Sequence, residues 1–248
     1  PGSNAEDIYT YHRENDNSFW FSSLTDFDFS YLPEDYLFVI VAKPGFGFCG
    51  KSNSKNIPDK YWKFTSLADR VYRADKTLQY IKNNVIKNPE RLVVFGYSEG
   101  FYVASKLALV NKKITHLGIG GGGGYIDFYD FILFNQKALL QKEIDLESAL
   151  RDNDEIIHSL KEVLIDPVST KFTYGYSHKR WATFAEPPMN SLSQLKIPIY
   201  QIHASNDESA PIEDAYLVPL EFARLGKNNL TFTVLRNCNH SFIETNTT

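Results

Sequence analysis

Residues 92–119 constrain the fold most. Leu92-Val93-Val94-Phe95 and residues 113–119 (KITHLGI) are apolar runs of strand length, and residues 99–111 between them carry apolar side chains at helical spacing. A strand, a helix and a second strand so closely spaced imply a right-handed crossover and parallel strands. The pattern extends in both directions. Residues 36–43 (YLFVIVAK) precede Pro44-Gly45 and read as a buried strand entering a loop. Residues 65–88 carry Leu67, Val71, Leu78, Ile81 and Ile86 among charges, an amphipathic helix. Strand chemistry returns at 197–202 and 230–236, around a helix at 212–225 that Gly226 terminates. The fold class is therefore α/β, a mostly parallel sheet with helices on both faces. Residues 1–124 and 191–248 form its core. Residues 125–190, two helical segments and an irregular stretch, enter between two sheet strands as a helical cap.

Gly96-Tyr97-Ser98-Glu99-Gly100 joins the strand at 92–95 to the helix from 99, which is a G-x-S-x-G turn in strand–turn–helix context. A serine there projects Oγ from a sharp turn, and close packing on both sides demands the small residues Gly96 and Gly100. The Glu99 N–H then lies at a helix N-terminus, where the dipole favours a developing oxyanion. A nucleophilic serine needs a base, and the base an orienting acid. Asp207 follows the strand at 197–202, and His240 follows the last strand, in Asn237-Cys238-Asn239-His240-Ser241-Phe242. Both lie past the C-terminal ends of strands, where open parallel sheets build their sites. Glu208 is the rival acid. His12, His158 and His178 fall on surface or cap segments, and His116 and His203 read as structural.

These motifs resemble the α/β-hydrolase family of serine hydrolases, which holds esterases and peptidases. Gly96 to Gly100 matches its nucleophile turn, Asp207 to Pro211 its G-x-x-D-x-x-x-P loop, and Asn239-His240-Ser241-Phe242 its G-H-x-F loop, with Ala204 and Asn239 where the last two patterns have glycine. Pro44-Gly45-Phe46-Gly47 resembles the loop after the family's fourth strand. The resemblance runs from about residue 36 to the end. It implies a Ser98–His240–Asp207 triad cleaving a carboxylic ester or, alternatively, a short peptide, with no cofactor and no metal. It also implies a cap over residues 125–190 between the sixth and seventh strands. About three further strands would precede residue 36, so the chain reads as truncated at its N-terminus. The second oxyanion donor would follow the third of them. If Gly2-Ser3-Asn4 is the stump of that loop, the donor is the Ser3 N–H; if Pro1-Gly2-Ser3 is an expression remnant, Ser3 has no such role.

Other features admit other classes. Gly45-Phe46-Gly47-Phe48-Cys49-Gly50-Lys51-Ser52 matches the phosphate-binding G-x-x-x-x-G-K-S, which would make the chain a nucleotide binder. Against it, Asn53 to Pro58 is a breaker segment where a helix should open. A hydrolase-fold protein that binds without turnover is a further class, but it has no need of Ser98, Asp207 and His240 together. The glycines at 120–124 read equally as a side-chain-free wall near Ser98 or as a hinge to the cap. Phe131, Phe134 and Trp181 are the candidate substrate wall, though aromatics at helical spacing also make plain cores. The net charge of −4, from 26 basic and 30 acidic residues without a Lys/Arg tract, disfavours nucleic acid as a partner. The apolar runs are too short for a transmembrane helix. Two cysteines exclude a disulfide scaffold and a thiolate-rich zinc site.

Overall fold

A computed structural model of the chain describes residues 2–13, 18–24, 29–51 and 57–245. The chain begins with the antiparallel strands β1 (Tyr9–Arg13) and β2 (Phe19–Ser23), and β3 (Cys49–Lys51) joins β1 in parallel. Helices α1 (Asp59–Lys63) and α2 (Leu67–Asn84) lead to β4 (Val93–Tyr97), α3 (Glu99–Val110) and β5 (His116–Gly120). Then come α4 (Asp127–Leu140), α5 (Leu146–Ile165), the short hairpin β6 (Phe172–Thr173) and β7 (Tyr176–Ser177), α6 (His178–Phe184) and α7 (Met189–Leu192). The chain closes with β8 (Ile199–Ala204), α8 (Ile212–Arg224) and β9 (Leu230–Leu235). The main sheet has the order β4-β5-β8-β9, with every pairing parallel. Its register sets Gly120 beside both Tyr97 and Ile202, so the ends of three strands meet at one glycine.

Local chemistry explains the helices. The Ser66 hydroxyl accepts the Asp69 N–H at 3.1 Å and starts α2, whose Leu67 and Val71 are buried. Asp145 caps α5 in the same way through the Ser148 N–H at 2.7 Å. α8 carries Pro219 in its interior, where the missing N–H leaves the Ala215 carbonyl without its helical donor. Gln201, fully buried on β8, donates its amide to that carbonyl at 3.1 Å. One buried polar side chain thus satisfies the defect and fixes α8 on the sheet. Leu117, Ile119 and Ile199 of the sheet pack with Phe101, Leu107, Val218 and Phe222 of α3 and α8 in the principal core. Away from that core, Val93, Phe95 and Tyr200 are 47, 38 and 44% exposed.

Two sequence expectations need correction, and the phosphate-loop alternative meets a further obstacle. Residues 36–43 form no strand: they join no ladder, and they run from exposed at Tyr36 and Leu37 to buried at Lys43. The segment is held by polar contacts instead, Arg73 Nη2 donating to the Ala42 carbonyl at 2.8 Å and the buried Lys43 ammonium group to that of Asn4. Apolarity there reports burial, and a ladder also needs a neighbour. The phosphate-loop reading fails too. Gly45 to Gly50 folds around the Asp7 carboxylate, which accepts the Gly47 N–H at 2.5 Å and stands where a Gly50 Cβ would be. The segment continues as β3, and Ser52 lies outside the described residues. A strand that wraps a carboxylate offers no cradle to a phosphate. The stretch at 166–190 is not irregular but holds β6, β7, α6 and the start of α7.

Residues 126–184 build a second apolar cluster of Ile126, Phe128, Ile156, Val163 and Trp181. Carboxylates tie its beginning to α8 and to α3. Asp214, nearly fully buried, accepts the Tyr125 N–H at 3.0 Å, and the Tyr102 hydroxyl donates to Asp127 at 2.7 Å. Asp130 hydrogen-bonds Asp214. Burial first, then the Asp214 and Asp127 charges, push Asp130 up to about 10; burial lifts Asp214 to about 7. Both folded values exceed the unfolded one of about 3.9. The folded state therefore keeps protons that the unfolded chain has lost, and this contribution to stability declines as pH rises from about 4 through 7 and towards 10. Lys43, lowered to about 6 by burial and then by the Arg70 charge, has the opposite slope, so the effect is read as a difference. Asp130→Asn, which keeps an N–H donor for Asp214, is expected to outlast wild type at alkaline pH. Thermal unfolding at pH 6 and pH 9 checks it. Each pKa unit removed is worth about 1.4 kcal/mol, or roughly 3–6 °C for a chain of this size. Equal alkaline losses in both proteins would contradict the assignment.

Candidate active site

Ser98 stands at the end of β4 with φ 55° and ψ −125°, a left-handed conformation that a residue with a side chain adopts only under constraint. The constraint is visible. The Ser98 N–H donates to the Gly120 carbonyl of β5 at 2.9 Å, and its carbonyl accepts the Phe101 N–H at 2.8 Å, opening α3. A Cβ at Gly96 would strike the Gly100 carbonyl and come within 2.5 Å of the Ala104 methyl. Both glycines of the motif thus serve the tight crossing of strand and helix on either side of the serine.

Asp207 and His240 come together on the loops after β8 and β9. The His240 Nδ1–H donates to the Asp207 carboxylate, with both oxygens at 2.8 Å. An ionised carboxylate only accepts, so Nδ1 carries the proton and Nε2 is free to act as a base. Asp207 also accepts the N–H groups of Ser209 and Ala210, each at 2.8 Å. Burial alone would raise its pKa, but the hydrogen bond and charge of His240 and those two N–H donors outweigh it and hold the carboxyl below its ordinary value. The rival acid, Glu208, accepts the backbone N–H of His240 at 3.1 Å, a contact with the loop rather than the ring. His203 is fully buried and donates to the Ala210 carbonyl at 3.0 Å, and burial lowers its pKa, so it is a neutral support for the Asp207 loop.

Both the serine turn and the imidazole meet the start of the glycine run, Ser98 through its N–H to Gly120 and His240 through its ring beside Gly121. A Cβ on Gly121 would lie 3.2 Å from His240 Cε1 and 2.7 Å from the Tyr97 ring. No hydrogen bond joins Ser98 Oγ to the ring among the described residues, an arrangement usual before a substrate tightens the site. Tyr97, which the sequence reading passed over, holds the base loop: its hydroxyl donates to the His240 carbonyl, and its ring packs edge-on against Phe242 at 5.3 Å. A tyrosine next to the nucleophile in a motif position open to any residue gave no signal. The N-terminal segment also reaches the site. A Cβ on Gly2 would fall 3.2 Å from Ser98 Cβ and 3.4 Å from its Oγ. Tyr61 OH of α1 donates to the Ser3 carbonyl at 2.9 Å, and Lys43 to that of Asn4, so two side chains hold residues 3 and 4.

The aromatic wall needs correction. Trp181 is 4% exposed within the second apolar cluster, and Phe131 packs against it with rings 6.1 Å apart. Both are core. Phe134 lines a surface cleft of about 360 Å³ between α4 and α5, together with Asn135, Asp152 and Glu155, and no triad residue borders it. The glycine run is packed rather than hinge-like: all five residues are buried. Among the described residues no group of His, Cys, Asp and Glu could hold a metal ion, and no helix is long and apolar enough to cross a membrane.

No protein-family model and no curated protein matches the chain. Solved structures similar to it include an esterase of Pyrococcus furiosus, at 16% identity and TM-score 0.46, covering 71% of this chain and 56% of that one. An acylaminoacyl peptidase of Pyrococcus horikoshii matches at 13% and 0.48, covering 75% and 26%. The protein Est1E from Butyrivibrio proteoclasticus matches at 14% and 0.44, covering 71% and 63%. The chain thus spans about half the length of the first and a quarter of the second.

Proposed function

We propose that the chain is a serine hydrolase of the α/β-hydrolase type that cleaves a carboxylic ester through an acyl-enzyme. The observation that carries this reading is the pairing of a strained Ser98 at a helix N-terminus with a His240 whose free Nε2 is set by Asp207. Ser98 Oγ attacks the ester carbonyl while His240 Nε2 takes its proton. Asp207 keeps the imidazole in the required tautomer and stabilises the imidazolium. The tetrahedral oxyanion is received by the Glu99 N–H at the start of α3 and by the Ser3 N–H of the segment lying against Ser98. His240 returns its proton to the leaving alcohol, the acyl-enzyme forms, and the same base then activates water to release the acid. Residues 125–190 form the cap, joined to the core by the Asp214 and Asp127 contacts. Its aromatic interior makes it a rigid cover, and acyl selection falls to residues nearer Ser98.

A fluorophosphonate probe followed by peptide mapping tests this reading. The expected result is one label, on Ser98, competed by a short-chain ester. Labelling elsewhere, or none with folded protein, overturns it.

A further inference from the structure

Beneath the nucleophile turn lies a buried ionic cluster that the proposed chemistry leaves unused. The Glu99 side chain is 3% exposed. Arg180 of α6 donates to its Oε2 from Nε at 3.0 Å and from Nη2 at 2.5 Å, and Arg70 of α2 pairs with Oε1. The Arg180 guanidinium lies 3.9 Å from the Tyr176 ring centre, 4.3 Å from that of Trp181 and 4.5 Å from that of Phe184, so it is fixed on every side by the cap's aromatics. Three charges taken out of water bring heavy desolvation, and apolar residues of similar volume often stabilise as well or better. Stability alone is therefore a poor account of this cluster. Its position supplies a better one. Glu99 is the residue whose backbone N–H faces the developing oxyanion, and its carboxylate is gripped from two elements outside α3.

We propose that Arg180 and Arg70 are positioning residues for the oxyanion donor: acting through the Glu99 carboxylate, they fix the first turn of α3 and so aim the Glu99 N–H. This rests on the serine-hydrolase reading and deepens it. Because Arg180 belongs to residues 125–190, the aim of the donor depends on how that unit is seated. The cap then acts on the reaction through an ion pair, without touching substrate. Arg180 grips a single carboxylate oxygen, Oε2, with two N–H groups, and Arg70 takes the other, so the carboxylate is held at both oxygens and cannot swing.

The test compares wild type, Arg180→Met and the triple variant Arg70→Met/Glu99→Leu/Arg180→Met on p-nitrophenyl acetate, with melting temperature measured alongside. Loss of one oxyanion donor costs about 10²–10³ in kcat, so a misdirected donor in Arg180→Met is expected to lower kcat by up to about 10² while KM stays near wild type. Fluorophosphonate labelling of Ser98 is expected to slow in parallel, because its phosphoryl oxygen uses the same donor. In the triple variant the melting temperature is expected to recover and kcat is not. Wild-type kcat in a folded Arg180→Met, or recovery of both quantities in the triple variant, overturns the proposal. If Arg180→Met does not fold, the triple variant gives the decision. A wild-type protein that neither labels at Ser98 nor cleaves esters removes the hydrolase reading itself. A wild type that does both beside unimpaired variants removes only the positioning role.

Discussion

Ser98→Ala is expected to reduce kcat on an ester by on the order of 10⁴ or more, leaving only what binding and the oxyanion donors supply. The backbone supports a clean comparison. Alanine at this position inherits the same unfavourable φ of 55°, and the Ser98 hydroxyl makes no hydrogen bond among the described residues whose loss would unfold the turn. Melting temperature and far-ultraviolet circular dichroism are therefore expected to match wild type while steady-state turnover collapses. Fluorophosphonate labelling should vanish with it. A folded variant that retains turnover within tenfold would place the nucleophile elsewhere.

Asp207→Asn is the second large effect, about 10⁴ in kcat, and it comes from hydrogen-bond direction rather than lost contact. Asp207 accepts from Ser209, Ala210 and His240 at once. An asparagine keeps its oxygen towards the two backbone N–H groups and turns its amide N–H to the imidazole. Nδ1 must then accept, the proton moves to Nε2, and the nitrogen that should receive the serine proton already holds one. The fold stays intact because every backbone partner remains satisfied. Glu208→Gln retains an oxygen for the His240 backbone N–H, so its kcat is expected within a few-fold of wild type. If the glutamine variant is the more damaged of the two, the orienting acid is Glu208. Single-turnover acylation rates distinguish the cases cleanly.

The proximity of Asp207 and His240 was legible because the proposed chemistry fixes both residue type and place in the chain. A nucleophile between glycines, an acid after one strand and a base after the next leave little freedom, and strand ends could be read from short apolar runs. The parts that escaped depend on neighbours that a local pattern does not show. Residues 36–43 have every property of a strand except a partner. The β6–β7 hairpin rests on Tyr174 and Gly175, both at positive φ, and a single glycine between two tyrosines is a weak turn signal. Phe131 and Trp181 obey a helical period that is the same for a core as for a pocket. The burial of the Glu99 carboxylate has no local signal, since its two arginines lie 29 residues before it and 81 after, Arg70 and Arg180.

The glycine run at 120–124 carries an evolutionary consequence. Each of its residues is pressed by a different part of the molecule: Gly120 by Ile202 of β8, Gly121 by Tyr97, Gly122 by Phe101 of α3, Gly123 by Asp214 of α8 and Gly124 by the Met189 side chain of α7. Any single-nucleotide change that alters a glycine codon to another amino acid adds at least a Cβ. No neutral first step leads away from the sequence at the first four positions, and the flexible Met189 methyl makes Gly124 the most forgiving. Five unrelated constraints on adjacent codons make this stretch a mutational dead end, where lineages should differ least even as the helices around it drift.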